Sequence, residues 1–190
     1  MFSAEKILQV IGYLLSLNGD KMNKLKLMKE LYLIDRESIK ERDSSVSMDI
    51  HFSLPHGPIL SATLNMLDDL DVNSDNSCSC NSWSEYLKSE PSMYYPDIVL
   101  KKKTPDDRLS AKDKEYIDKI SDMFKAFTNK EIEDYTHKNL PEWKDPRGSC
   151  LKIRFQDIMQ ALGKSSEEIQ YAKKEYDFLN EAYSDFGRSY

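Results

Sequence analysis

The sequence has little of what marks nucleotide sites and disulfide frameworks. Only six of its 190 residues are glycine, and none of them forms a phosphate-binding glycine motif or a nucleophile elbow. The sequence also has no paired-cysteine zinc motif. The three cysteines, Cys78, Cys80 and Cys150, are an odd number, and the first two are too close in sequence to bridge easily. We therefore expect reduced thiols and a cytoplasmic location.

Long apolar runs and positive charge are also lacking. The apolar stretch from Ile7 to Leu17 is interrupted by Gln9 and Gly12 and is too short to cross a bilayer, so we expect no membrane association. The chain has 27 Lys and Arg against 33 Asp and Glu, a formal charge of −6. Because nucleic acids are polyanions, this balance argues against a nucleic-acid partner. It suits a basic protein partner, although solubility alone also explains it.

What the chain does have is the composition of a folded protein. Hydrophobic residues make up 39% and charged residues 32% of the sequence, and eleven tyrosines supply core and contact area. A chain of this length buries enough surface to fold without disulfides or metals. We expect one domain spanning residues 1–190.

Helical periodicity dominates the pattern of apolar residues. It predicts helices at Ala4 to Leu17 and at Asn23 to Glu41, with Lys24, Lys26, Lys29 and Glu30 pointing away from the buried stripe. Capping boxes predict helix starts at Ser110 with Asp113 and at Thr128 with Glu131. Two further helices are predicted, one at 155–162 and a last one capped by Ser165 or Ser166.

The period changes to two between Val46 and Leu54, which predicts a half-buried strand with His51 facing solvent. Pro58 is expected to begin the next helix, where its missing N–H costs nothing. A second strand at 97–101 is expected to pair with the first. The predicted fold class is therefore α+β and predominantly α-helical, a compact helical domain with a small two- or three-stranded antiparallel sheet.

The stretch from Asp71 to Ser84 is rich in Ser, Asn and Asp around Cys78 and Cys80. This composition predicts a flexible surface loop within the domain. Loops of this length are either functional or expendable, and the scarcity of apolar residues favours an expendable one.

Candidate reactive groups are few. A metal site would require Cys78 and Cys80 to converge with a histidine, and Cys150 lacks the local signature of a nucleophile. We therefore expect no cofactor, no metal and no catalytic residue. An enzyme with an unrecognised site around His56, His137 and Cys150 stays an alternative.

Four segments, in order, resemble one known family. Lys24–Arg36 is similar to its lysine- and leucine-rich second helix, which ends in L-Y-x-x-D. Leu54–Pro58 is similar to its glycine–proline turn before a helix, and Leu109–Thr128 to its capped long helix. Tyr135–Lys144 is similar to its T-H-x…W-K segment. By this order and spacing, the chain resembles the SocA-like antitoxin (Panacea) family.

The resemblance implies a bacterial or phage-associated antitoxin that neutralises a cognate toxin, encoded by the adjacent gene, by direct protein–protein binding. It implies no enzymatic activity. An alternative within the family is a proteolytic adaptor, for which a protease would be a second partner. Many members carry a DNA-binding segment, but nothing precedes the first helix here, so we expect no autoregulation through DNA. The formation of a homo-oligomer stays open.

The same motifs supply candidate partner-binding residues: Tyr32, Asp35, Arg36, His56, Gly57, Pro58, His137 and Trp143. Tyrosine and arginine are enriched in binding hot spots, and Tyr32 and Arg36 share a helix face. The residues alone also fit a plainer role, in which Tyr32 belongs to the core, Gly57 and Pro58 form a turn, and Trp143 closes the core.

Overall fold

A computed structural model describes residues 2–72 and 83–174 of the chain. In chain order, its elements are α1 Ala4–Leu17, β1 Lys21–Asn23, α2 Lys24–Arg42, β2 His51–Leu54, β3 Gly57–Leu60, α3 Ser61–Val72, α4 Trp83–Tyr86, β4 Leu87–Glu90, β5 Asp97–Leu100, α5 Ala111–Phe124, α6 Asn129–Asn139, β6 Leu151–Ile153 and α7 Phe155–Ala161. An eighth helix, α8, is described over 166–174. No helix in these two ranges is both long enough and apolar enough to cross a membrane.

The strands form two antiparallel three-stranded sheets, with orders β1-β5-β4 and β3-β2-β6. The predicted α+β, predominantly helical fold class is therefore confirmed. The predicted pairing of the strand at 97–101 with the one before Pro55 is wrong, because β5 lies between β1 and β4. β2 pairs instead with β3 and with β6, a strand that the sequence did not predict.

Side chains near each helix start determine where the main helices begin. Asn23 caps α2 by accepting a hydrogen bond from the N–H of Leu25 at 3.1 Å. Both predicted capping boxes are confirmed, since Ser110 and Thr128 each exchange hydrogen bonds with the residue three positions later. Each box satisfies two N–H groups that the helix leaves without internal partners.

Helix α2 lies at the centre of the fold and packs against β3, α5, α6 and α7. Its predicted apolar stripe is buried, but the expected solvent-facing positions Lys24, Lys29 and Glu30 are buried as well. That part of the prediction is wrong, because neighbours on several sides leave the first half of α2 without a free face. Its charged groups must therefore find partners inside the protein or shift their pKa.

The strand predicted at 46–54 is shorter than expected, and its faces are inverted. Only His51–Leu54 is a strand. His51 and Ser53 are buried, whereas Ile50 is 47% exposed, so the prediction that His51 faces solvent is wrong. A period of two identifies two faces without saying which one is covered. Here polar partners on α2 and the following loop satisfy the buried polar face.

A two-residue turn, Pro55–His56, joins β2 to β3, with Leu54 paired to Gly57. Pro58 lies in β3, an edge strand where a missing N–H is tolerated, and α3 begins only at Ser61. The prediction that Pro58 starts the helix is therefore wrong by three residues.

The predicted loop at 71–84 falls mainly on residues 73–82, which lie outside the described residues together with Cys78 and Cys80. On either side of that gap, α3 extends through Val72 and α4 begins at Trp83. The Trp83 side chain is buried, and its indole N–H donates to the carbonyl of Ala4 at 3.2 Å.

Candidate partner-binding site

The turn between β2 and β3 rests directly on α2 and α6. Gly57 has φ +101°, and a Cβ at that position would lie 2.8 Å from Thr136 Oγ1 and 3.0 Å from Lys29 Cε. Both the backbone conformation and the close approach therefore require glycine. Its neighbour Pro58 accepts a hydrogen bond from Lys29 Nζ at 3.0 Å.

Lys29 is the buried cation of this contact, with only 2% of its surface exposed. Burial lowers the pKa of its amine from 10.5 to about 7, and the nearby carboxylate of Glu133 partly opposes that shift. Part of the Lys29 population is therefore neutral near pH 7. The amine acts as a donor that braces the hairpin in either protonation state.

His56 is the exposed member of the predicted set at the tip of the hairpin. Its side chain is 58% exposed, and Nδ1 lies 2.9 Å from Glu133 Oε1 on α6. The ring also meets the edge of Tyr95, with the two ring centroids 5.8 Å apart. Two of the most exposed large apolar residues in the described chain, Met93 at 86% and Tyr94 at 88%, directly precede Tyr95.

His137 and Trp143 stack on each other beside the hairpin. Their ring centroids are 4.0 Å apart with an interplanar angle of 12°. The Trp143 indole N–H donates to the carbonyl of Leu54 at 3.1 Å, which ties the segment after α6 to β2. Burial lowers the pKa of His137, and within 2–72 and 83–174 its Nε2 has no hydrogen-bond partner. A neutral, stacked imidazole is the form that this position favours.

Glu142 connects two of the predicted residues. Its Oε1 accepts hydrogen bonds from the Tyr32 hydroxyl at 3.0 Å and from Arg36 Nε at 2.7 Å. Both Tyr32 and Glu142 are buried, and burial followed by the charge of Glu142 raises the pKa of Tyr32 well above its usual range. The two predicted residues thus hold a buried carboxylate that the sequence pattern did not single out.

Asp35 on α2 contacts the buried polar residues in and just before β2. Its Oδ2 lies 2.9 Å from His51 Nε2 and also accepts a hydrogen bond from the Ser47 hydroxyl, while Oδ1 accepts from the Ser47 N–H at 2.8 Å. The three residue types match a hydrolase triad. However, the serine hydroxyl contacts the carboxylate rather than the imidazole, so this trio lacks the serine–histidine contact on which nucleophilic catalysis depends.

The structure brings all eight predicted residues into one connected region made of α2, the β2–β3 hairpin, α6 and the segment after α6. Within it, Tyr32, Asp35 and Gly57 are buried, and His56 is the member that is mainly exposed. Sequence reasoning missed Lys29, Glu133 and Glu142. Glu142 lies directly before Trp143, inside a segment that resembles the family, so the sequence drew attention to that segment. It did not show that Glu142 contacts α2.

In the described ranges, the two histidines of the alternative catalytic set contact other residues. Cys150 is exposed in the segment before β6, whereas His56 contacts Glu133 and His137 stacks on Trp143. The same ranges contain no group of three or more His, Cys, Asp or Glu side chains placed to hold a metal ion.

A comparison with family models matches residues 27–144 to the SocA-like antitoxin, Panacea domain. The match covers more than half of the chain and includes all eight predicted residues. The chain belongs to this antitoxin-like family. Searches of curated proteins and of solved structures found no match. The family points to an antitoxin role and favours a non-enzymatic one.

The Panacea match also contains a second buried ionisable side chain on α2. Glu30 is fully buried, and neither carboxylate oxygen has a hydrogen-bond partner among the residues that the structure describes. Burial raises its pKa to about 8, although Lys26 Nζ, 3.9 Å from Oε1, partly opposes that shift. Glu30 is therefore mostly protonated at pH 7.

The network gives this Panacea domain a rigid hairpin. Polar contacts of 2.7–3.1 Å join three separate parts of the sequence around it. Because buried polar groups that are satisfied in only one arrangement define that arrangement, the hairpin tip is held in a fixed position. A fixed tip lowers the entropy lost when a partner binds.

Proposed function

We propose that this protein is an antitoxin that neutralises a cognate toxin by direct protein–protein binding in the cytoplasm. The family match over residues 27–144 carries the proposal. The rigid network around the hairpin supports it, because the groups best placed for chemistry are used to hold the scaffold. Neutralisation would then come from covering a surface of the toxin rather than from a reaction.

The decisive experiment is co-expression with the product of the adjacent gene. We expect that gene to arrest growth alone, the pair to restore growth, and the two proteins to co-purify. We expect the variant Gly57→Ala to weaken rescue because it disturbs the scaffold, and Gly148→Ala is its matched control. Absence of both rescue and co-purification would contradict the proposal.

For the contact surface, we propose the hairpin tip, with His56 beside the exposed side chains of Met93 and Tyr94. Exposed aromatic residues on a fixed scaffold are typical binding hot spots. We expect Tyr94→Ala to raise the dissociation constant for the toxin at least tenfold while leaving the melting temperature unchanged. Tyr171→Ala is the control, because Tyr171 is also highly exposed, at 73%, but lies on α8. Equal affinities for the two variants would place the interface elsewhere.

The adaptor alternative differs only in the fate of the toxin. Measuring the toxin's half-life in cells with and without this protein separates the two. Under the blocking function that we propose, the half-life is unchanged or longer. A half-life shortened in a protease-dependent way would favour delivery to a protease instead.

A further inference from the structure

A surface pocket of about 540 Å³ lies between β2, β6, α7 and the segment after α6. Its volume is in the range of sites that hold a small ligand or a few side chains of a partner. Its polar lining includes Ser53, Glu142, Lys144, Lys152, Arg154 and Asp157. Most of this lining lies at or beyond the end of the family match at residue 144.

The charges in the pocket do not balance. Glu142 is paired with Arg36 at 2.7 Å, and Asp157 is paired with Arg154 at 2.7 Å. Each carboxylate therefore has its own arginine. In the described chain, neither the Lys144 nor the Lys152 ammonium has a carboxylate oxygen within 4.0 Å. The lining carries three cations, at Lys144, Lys152 and Arg154, against two carboxylates, so its net charge is positive. The chain as a whole has a formal charge of −6, so this pocket is a local exception.

Backbone contacts fix the positions of both lysines. Lys152 lies in β6 opposite Phe52 of β2. The N–H of Lys144 donates to the Ser53 hydroxyl at 3.3 Å, which holds that residue against the same strand. Lysine on an edge strand such as β6 also discourages unwanted strand pairing. That role does not account for Lys144, which lies outside any strand.

We infer that this lysine pocket, formed around Lys144 and Lys152, receives an acidic side chain of the toxin. The inference rests on the proposed antitoxin function and adds a second contact to it. A carboxylate is the chemical complement of two neighbouring ammonium groups that have no carboxylate oxygen within 4.0 Å in the described chain. Because the whole chain has a formal charge of −6, an acidic partner group is attracted to this positively charged pocket and repelled by the net charge of the protein.

The test measures toxin affinity for the double variant Lys144→Glu/Lys152→Glu at two salt concentrations. We expect the dissociation constant to rise at least tenfold at low salt, and by less at high salt, where screening weakens the interaction. The control is Lys103→Glu/Lys125→Glu, which changes the net charge equally at two exposed positions outside the pocket. We expect the control to change affinity by less than threefold.

Two further measurements distinguish a loss of toxin binding from misfolding of the variant. Lys144→Gln/Lys152→Gln removes the charges without adding new repulsion, and we expect an intermediate loss of affinity at an unchanged melting temperature. An Asp or Glu of the toxin changed to Lys should then restore binding to the Glu double variant. Wild-type affinity in both pocket variants would overturn the inference while leaving the antitoxin function standing. A wild-type protein that fails to bind any toxin would instead overturn the proposed function.

A free small anion is the remaining occupant to test. Titration of the wild-type protein with citrate, followed by amide NMR shifts at Ser53 and Lys152, measures that binding directly. Tight citrate binding together with toxin affinity that ignores the lysine substitutions would overturn the inference. Weak citrate binding together with the tenfold loss of toxin affinity would support it.

Discussion

Lys29 on α2 donates a hydrogen bond to the carbonyl oxygen of Pro58 in β3, at 3.0 Å, from inside the protein. Lysine side chains usually lie in water, but the Lys29 side chain contacts the hairpin from the interior of the protein. The same amine lies 3.1 Å from where a Cβ of residue 57 would be. This contact makes the protonation of one buried lysine part of the stability of the hairpin.

The pKa of Lys29 predicts how stability depends on pH. In the unfolded chain the amine has its ordinary pKa of 10.5, and in the folded protein its pKa is about 7. Between these values the unfolded state binds more protons, so the free energy of unfolding rises with pH. Relative to Lys29→Met, which removes the titrating group, wild-type stability should rise by up to about 1.4 kcal/mol per pH unit above pH 7.

Urea unfolding at pH 7, 8 and 9 measures this difference. Lys138→Met is the control, because it removes an exposed lysine from α6. A constant difference between wild type and Lys29→Met over this range would contradict the assigned pKa shift.

Glu30 predicts the opposite slope in a different window. Its pKa is about 8 in the folded protein against an ordinary value of 4.5, so the folded state holds more protons between these values. Wild-type stability therefore falls as pH rises from 4.5 to 8, relative to the neutral, isosteric variant Glu30→Gln. We expect the advantage of that variant to grow by up to about 1.4 kcal/mol per pH unit across this window. Glu167→Gln, at an exposed position, should show no such growth when unfolding is followed in urea at the same pH values.

The packing around Gly57 predicts that adding one methyl group there lowers the free energy of unfolding substantially. Gly57→Ala combines an unfavourable φ with contacts under 3.4 Å to Thr136 and Lys29, and we expect a loss of about 3 kcal/mol in the free energy of unfolding. Gly148→Ala is a matched control, because Gly148 also has positive φ but nothing lies within 4 Å of the place that its Cβ would take. We expect about 1 kcal/mol there. Similar losses at both positions would mean that the close packing at Gly57 contributes nothing.

Glu142 predicts coupling between α2 and the segment after α6. Glu142→Ala leaves the Tyr32 hydroxyl and Arg36 without their shared acceptor, and we expect a loss of about 3 kcal/mol. Tyr32→Phe removes one hydrogen bond and should cost about 1 kcal/mol. The double variant should lose less than the sum of the two, since both changes remove the same interaction. Full additivity in thermal or urea unfolding would show that the hydrogen bond between them is not formed.

Contacts between residues close in the sequence were predictable from the sequence, whereas contacts between distant residues were not. The capping boxes at Ser110 and Thr128 depend on residues three positions apart, so the sequence displays both partners together. Tyr32 and Glu142 are 110 positions apart, and nothing near Glu142 indicates which helix it meets. The family motifs selected residues that lie together in the structure, because the motifs preserve the order of such segments.

The inability of a sequence pattern to show distant contacts also explains why the buried and exposed faces of β2 were predicted the wrong way round. Alternation between Val46 and Leu54 is symmetrical, so it is equally compatible with either face being covered. The deciding partner of His51 is Asp35, which an apolar pattern cannot show because it ranks both residues as solvent-facing. Burial of Lys29 and Glu30 was missed for a related reason, since the crowding around α2 comes from elements far along the chain.

The two tryptophans, Trp83 and Trp143, each donate their indole N–H to a backbone carbonyl, but in different neighbourhoods: at Ala4 of α1 and at Leu54 of β2. Replacing either one with phenylalanine leaves a single tryptophan, whose emission can be excited apart from that of the tyrosines. The emission of Trp83 then reports on the N-terminal helix, and that of Trp143 on the hairpin. Comparing the two during denaturation would reveal whether the hairpin loosens before the rest of the protein, without any external label.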